Sequence, residues 1–95
     1  MDPISQSLHS FLVNLGYEGA TQEQEHQMEH LLALLLPEDE QALVSYYGLF
    51  DEPRLSLDEI ACKRGETPEQ TMAAIDQSIR KLAVTPEWQM IKPKQ

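Results

Sequence analysis

No lysine or arginine occurs in the first fifty residues of this 95-residue chain, whereas eight aspartates and glutamates do. A half-chain of that charge repels nucleic-acid phosphates over roughly a Debye length, about 8–10 Å. The basic stripe that nucleic-acid binding normally leaves in a sequence is missing throughout. Residues 51–95 are nearly balanced, eight acidic against seven basic side chains, and the whole chain has a formal charge of −9. Cys62 is the one cysteine, which excludes an internal disulfide and fits a reduced thiol in the cytoplasm. No apolar run approaches the ~18 residues of a membrane-spanning helix, so no membrane role is expected. The start M-D-P-I-S-Q has neither the basic nor the apolar segment of a secretory signal. No Ser-His-Asp, Cys-His or paired-carboxylate arrangement can be drawn, nor a phosphate-cradling glycine loop. The expectation is therefore a protein that is not an enzyme and carries no cofactor. Strand-like alternation, internal repeats and low-complexity tracts are missing as well.

What is present is helical. The 41% hydrophobic content suffices for one modest core. Ile4, Leu8, Phe11, Leu12 and Leu15 mark one face of a first helix over about 4–15, which Gly16 and Gly19 are expected to end. Thr21 with Gln24 has the form of a capping box for a second helix over 22–35. Its Met28, Leu31, Leu32, Leu34 and Leu35 are too many for one stripe, which predicts a central helix packed on two sides. Pro37 opens a third helix to about Tyr47, with Glu38, Asp39 and Glu40 in its first turn, Leu43, Tyr46 and Tyr47 inward, and Gly48 as its stop. Leu49 to Leu55 is read as a loop.

The most informative stretch is 56–82. Ser56 can cap a helix over 57–64, with Asp58 and Glu59 where the helix dipole favours negative charge. Leu57, Ile60 and Ala61 form its apolar face, which leaves Cys62 off that face, and Gly65 is the expected left-handed end. Thr67 can cap a further helix over 68–83, with Pro68 at its first position. Thr71, Ala74 or Ile75, Ser78 or Ile79, and Leu82 are its inward face. A short helix, a tight turn and a longer helix predict a helix-turn-helix. Thr85-Pro86-Glu87 looks like one more helix start, a single turn with Trp88 and Ile91, after which Lys92 to Gln95 should fray. The expected fold class is all-α, a small five-helix bundle containing a helix-turn-helix, with a sixth turn at the end.

From about Gln22 to Ala83 the chain resembles region four, the C-terminal promoter-reading domain of primary-type sigma factors of bacterial RNA polymerase. The resemblance rests on L-L-P-E-D-E-Q-A-L-V-S-Y-Y-G-L (35–49), S-L-D-E-I-A (56–61), T-P-E (67–69) and I-R-K-L (79–82) in that order. It divides the chain into an N-terminal helix (1–20), a sigma region four-like domain (21–83) and a tail (84–95), all in one compact unit. Family members usually carry Arg or Lys where this chain has Glu38, Val44, Tyr46, Pro68, Gln70, Met72, Gln77 and Ala83. Those positions largely serve promoter phosphates and bases. Without them the salt-dependent part of DNA affinity is lost, although Gln70 retains the chemistry to read an adenine edge.

Two functions follow from these expectations. The first is a transcription-related module that contacts RNA polymerase, a sigma factor or another regulator, since region four also docks on the flap of the polymerase β subunit. Its candidate face is Pro68, Glu69, Gln70, Met72, Ala73, Asp76, Gln77, Arg80 and Lys81, with Ile79, Leu82 and Trp88 as candidate apolar docking residues. The second is a DNA-binding regulator with an atypical recognition helix, in which Lys63, Arg64, Arg80 and Lys81 of two copies combine. Trp88 is either an exposed hook or a lid folded on the core. His26-Gln27-Met28-Glu29-His30 fits a zinc-protease pattern, but a third ligand and a cleft are not evident, so two solvated histidines are the simpler reading. Partner identity and oligomeric state are not legible.

Overall fold

In the structure, a computed structural model, residues 3–18 and 21–91 are described, and they form six helices and no strand. These are α1 (Pro3–Glu18), α2 (Gln22–Leu32), α3 (Pro37–Tyr47), α4 (Leu57–Arg64), α5 (Pro68–Ala83) and α6 (Pro86–Ile91). Gly19, the side chain of Ile4 and the expected fraying of Lys92–Gln95 lie outside the described residues.

The helix starts follow local chemistry. The Thr21 hydroxyl accepts from the Gln24 backbone N–H at 3.1 Å while the Gln24 side chain accepts from the Thr21 backbone N–H at 3.0 Å. Ser56 caps α4 by accepting from the Glu59 backbone N–H at 3.2 Å. Gly65, at φ 70°, ends α4 in the left-handed region that costs glycine little. Only Glu66 and the cap residue Thr67 then separate α4 from α5. The acidic first turn of α3 lies at the positive end of its dipole.

The tertiary arrangement departs from the sequence reading in three places. First, α5 rather than α2 is central: it packs on α1, α3, α4 and α6, while α2 packs chiefly on α6. Second, α2 stops at Leu32, and the chain passes through a turn in which Leu34 and Leu35 N–H groups reach back three residues. Pro37 accounts for this, because the residue before a proline is driven out of the helical region, and Leu36 is extended at ψ 148°. Third, α1 runs through Gly16, which lies inside the helix. The further helix start expected at Thr85-Pro86-Glu87 is present as α6, whose Thr85 hydroxyl accepts from the Trp88 backbone N–H at 3.2 Å.

One core joins the elements: Leu8 and Leu12 of α1, Met28, Leu31 and Leu32 of α2, Leu43 and Tyr47 of α3, Ile60 of α4, Ile75, Ile79 and Leu82 of α5, and Trp88 of α6. On α5, Thr71, Ile75, Ser78, Ile79 and Leu82 point inward, and Ala74 is half-buried. Leu57, expected inside, is also half-buried, at the first position of α4 and packed against the core. The Tyr47 hydroxyl shares a hydrogen bond of 2.7 Å with His9 Nδ1, which ties α3 to α1. Burial, then the neighbouring Tyr46 and Asp76, holds the Tyr47 phenol well above its usual range. It therefore stays neutral.

Ala61 is buried on α4 and its neighbour Cys62 is exposed. Ala61→Leu should overpack this face at a cost of ~1–3 kcal/mol, and Cys62→Ser should cost well under that. Equal losses in melting temperature for the two would show that α4 is rotated from its described orientation.

Candidate functional site

The outward face of α5 holds most of the candidate recognition residues. Glu69, Gln70, Ala73, Asp76, Gln77, Arg80 and Lys81 are exposed there, while Pro68 and Met72 are half-buried and Met72 packs against the core. The first three turns present two carboxylates and no cation; Arg80 and Lys81 come only in the last turn. Cations at that end also suit the helix dipole.

Three further features remove expected DNA chemistry. Gln70 completes a second capping box: its backbone N–H donates to the Thr67 hydroxyl at 3.1 Å, and its side-chain oxygen accepts from the Thr67 backbone N–H at 2.9 Å. Reading adenine requires that oxygen, so Gln70 is engaged as a cap. Val44 and Ala83, two positions where the resemblance implies a basic residue, are 7% and 0% exposed. Charges there would have to enter the core.

Arg64, counted with the cations available to DNA, is tied to its own fold. Its guanidinium donates to the Glu38 carbonyl at 3.0 Å, to the Asp39 carboxylate at 3.4 Å and to the Glu66 carboxylate. Glu66 also accepts from the Thr71 hydroxyl at 3.0 Å. The hydrogen bond from Arg64, with that from Thr71, holds the Glu66 carboxyl below its usual range, and the same Glu66 contact raises Arg64. The cluster clamps the end of α4 and the start of α5 onto the first turn of α3.

The expected apolar docking residues are corrected by the packing. Ile79 and Leu82 are 0% exposed and Trp88 1%, so none of them offers a surface. Trp88 is the lid of the two alternatives, with its ring 5.3 Å from that of Phe11. The apolar surface lies elsewhere. Leu34 and Leu36 are 45% and 62% exposed, on either side of Leu35. Leu35 lines a shallow groove with Asp39 of α3 and Ala74, Gln77, Ser78 and Lys81 of α5. Leu34 and Leu36 were missed because the leucine run reads as continued helix. Pro37 was the signal that would have ended it.

The groove measures about 190 Å³, and a second hollow beside Gly16 and Met28 about 100 Å³. Both are below the ~300 Å³ at which small-molecule sites begin. Phe50 and Asp51, at φ 54° and 62°, line the second hollow. Their left-handed backbone is where the 49–55 loop bends against α1. The face that remains carries acidic and amide groups along α5 with Lys81 at its end, and exposed leucines flank the groove residue Leu35 in sequence. Such a face suits another protein better than a phosphate backbone. No protein-family model matches the chain, and no curated protein or solved structure matches it significantly.

Proposed function

We propose that this chain is a regulatory module of transcription whose α4–turn–α5 unit is a helix-turn-helix of the sigma region four kind. It works by protein contact with an RNA polymerase subunit or a sigma factor rather than by reading DNA. The observation that carries this reading is the α5 face, which has Glu69 and Asp76 but no cation before Arg80. A helix entering the major groove with those charges meets two phosphate rails with repulsion and little to offset it. The two-residue link through Gly65 and Glu66 to the Thr67 cap, and the capped starts of both helices, support the helix-turn-helix part. Leu34 and Leu36, exposed next in sequence to the groove residue Leu35, supply apolar anchors of the kind a protein interface needs.

The test combines a mobility-shift series with a binding titration. Promoter duplexes should bind no tighter than about 10 µM at physiological salt, the range of non-specific association. Ala73→Arg with Gln77→Arg, one turn apart on the exposed face, should raise DNA affinity and steepen its salt dependence. The unmodified chain should form a saturable complex with a polymerase subunit or a sigma factor. Leu36→Asp should weaken that complex at least about tenfold, the loss of one interface anchor, with no change in melting temperature. A sequence-specific duplex complex in the nanomolar range would overturn the reading in favour of a DNA-binding regulator.

A further inference from the structure

His26 and His30 lie one turn apart on α2, and both are exposed. Their Nε2 atoms are 3.2 Å apart, and their rings meet edge to face with centroids at 4.5 Å. Two imidazole nitrogens bound to one tetrahedral zinc at about 2.0–2.1 Å each lie about 3.3 Å from one another. The pair therefore already stands at the bite distance of a chelate. In the metal-free protein one Nε2–H donates to the other ring's lone pair. Transfer of that proton to Nδ1 of the same ring through solvent leaves two Nε2 lone pairs and changes no net charge.

We infer that His26 and His30 form a bidentate site for a borderline divalent transition cation, Zn²⁺ or Cu²⁺. The surroundings favour a cation. Glu23, Glu25 and Glu29 share α2 with the pair, and no lysine or arginine occurs before residue 54. Among the described residues no group of three or more His, Cys, Asp or Glu is placed to hold a metal. The protein supplies two ligands, and water or a second copy's pair fills the remaining positions. The site is thus an exchangeable one, unlike the closed four-ligand zinc of a structural domain. Because both ligands lie on successive turns, the chelate forms only when α2 is helical, so the metal stabilises the folded chain.

Calorimetric titration of the full chain with ZnCl₂ and CuCl₂ tests this, in the Cys62→Ser background to remove the other soft ligand. The expected result is saturable binding of one metal per chain, or one per two chains, with copper tighter than zinc. Mg²⁺ should give no heat, since it prefers oxygen ligands. His26→Gln or His30→Ala alone should weaken binding at least about tenfold, because the second ligand of a chelate acts at high effective concentration. Both positions are exposed, so both variants fold, and zinc should raise the melting temperature of the parent but not of either variant. Affinity unchanged in both histidine variants, or no saturable binding of Cu²⁺, the tighter of the two metals, would overturn the assignment.

Discussion

Trp88→Ala should cost the protein ~3–5 kcal/mol, the range for emptying a fully buried aromatic site. Trp88 has the largest of the fully buried side chains, at 1% exposure, and it is carried by a helix of only six residues. A helix that short has no stability of its own in water. It is held by the indole, which meets Phe11 of α1, and by local hydrogen bonds. These are the Thr85 hydroxyl donating to the Leu82 carbonyl at 2.6 Å and the Gln89 amide donating to the Ala83 carbonyl at 3.2 Å. Removing the indole leaves a cavity where α6 meets α2, α5 and Phe11 of α1, and a backbone fixed at Leu82 and Ala83 cannot close it. In a domain of this size each kilocalorie moves the melting temperature by roughly 4–8 °C, so a fall of at least about 12 °C is expected. Met90, 88% exposed on the same helix, is the control, and Met90→Ala should be near neutral. A Trp88→Ala loss below about 1 kcal/mol would mean that α6 is a detachable tail.

Gly16→Val should be nearly as damaging, by about 3 kcal/mol, at or beyond the top of the overpacking range. Two effects oppose each other here. A glycine inside a helix is normally a liability of ~1 kcal/mol, which Gly16→Ala would recover. Against that, a Cβ at position 16 would overlap the Tyr47 carbonyl oxygen and stand 2.9 Å from the Arg54 guanidinium, which itself donates to that carbonyl at 3.2 Å. The carbonyl is backbone at the end of α3 and cannot rotate away, so α1 must lift from α3. That movement would also strain the His9–Tyr47 hydrogen bond. The overlap wins over propensity, and Gly16→Ala should already be destabilising. Gly65 offers the contrast. It stands in open space at φ 70°, so Gly65→Ala should cost only the ~1–2 kcal/mol of a left-handed residue. Chemical denaturation of the three variants decides it. A Gly16→Ala variant more stable than the parent would show that α1 and α3 are farther apart than described.

The sequence by itself determined the all-α class and the starts of α2, α3, α4 and α5, because those depend on residues a few positions apart. Thr21 and Gln24, Ser56, Pro37, and Thr67 with Pro68 carry their own hydrogen-bonding and steric reasons for a helix to begin. The same holds for Gly48 and Gly65 as ends and for the inward face of α5 through Thr71, Ile75, Ile79 and Leu82. The lack of cations on the outer face of α5 was equally legible, since charge is read directly from residue type.

Other features depended on which surfaces meet. Gly16 reads as a helix end in sequence, yet it is a contact point, because only the arrival of Tyr47 from thirty-one residues away requires the missing side chain. Four leucines and a methionine made α2 look central, but a helix is central only if neighbours cover both sides, and α5 took that place. The apolar candidates exchanged places for the same reason. Ile79 and Leu82 of α5 and Trp88 of α6 were closed into the common core, whereas Leu34 and Leu36 were left outside when α2 stopped short of Pro37. Arg64 carries a charge that DNA would accept, and only the fold brought the Glu38 carbonyl and Asp39 to it. Local chemistry sets where helices begin and end; burial and partnership are properties of pairs of elements, and they appear only once the chain has packed.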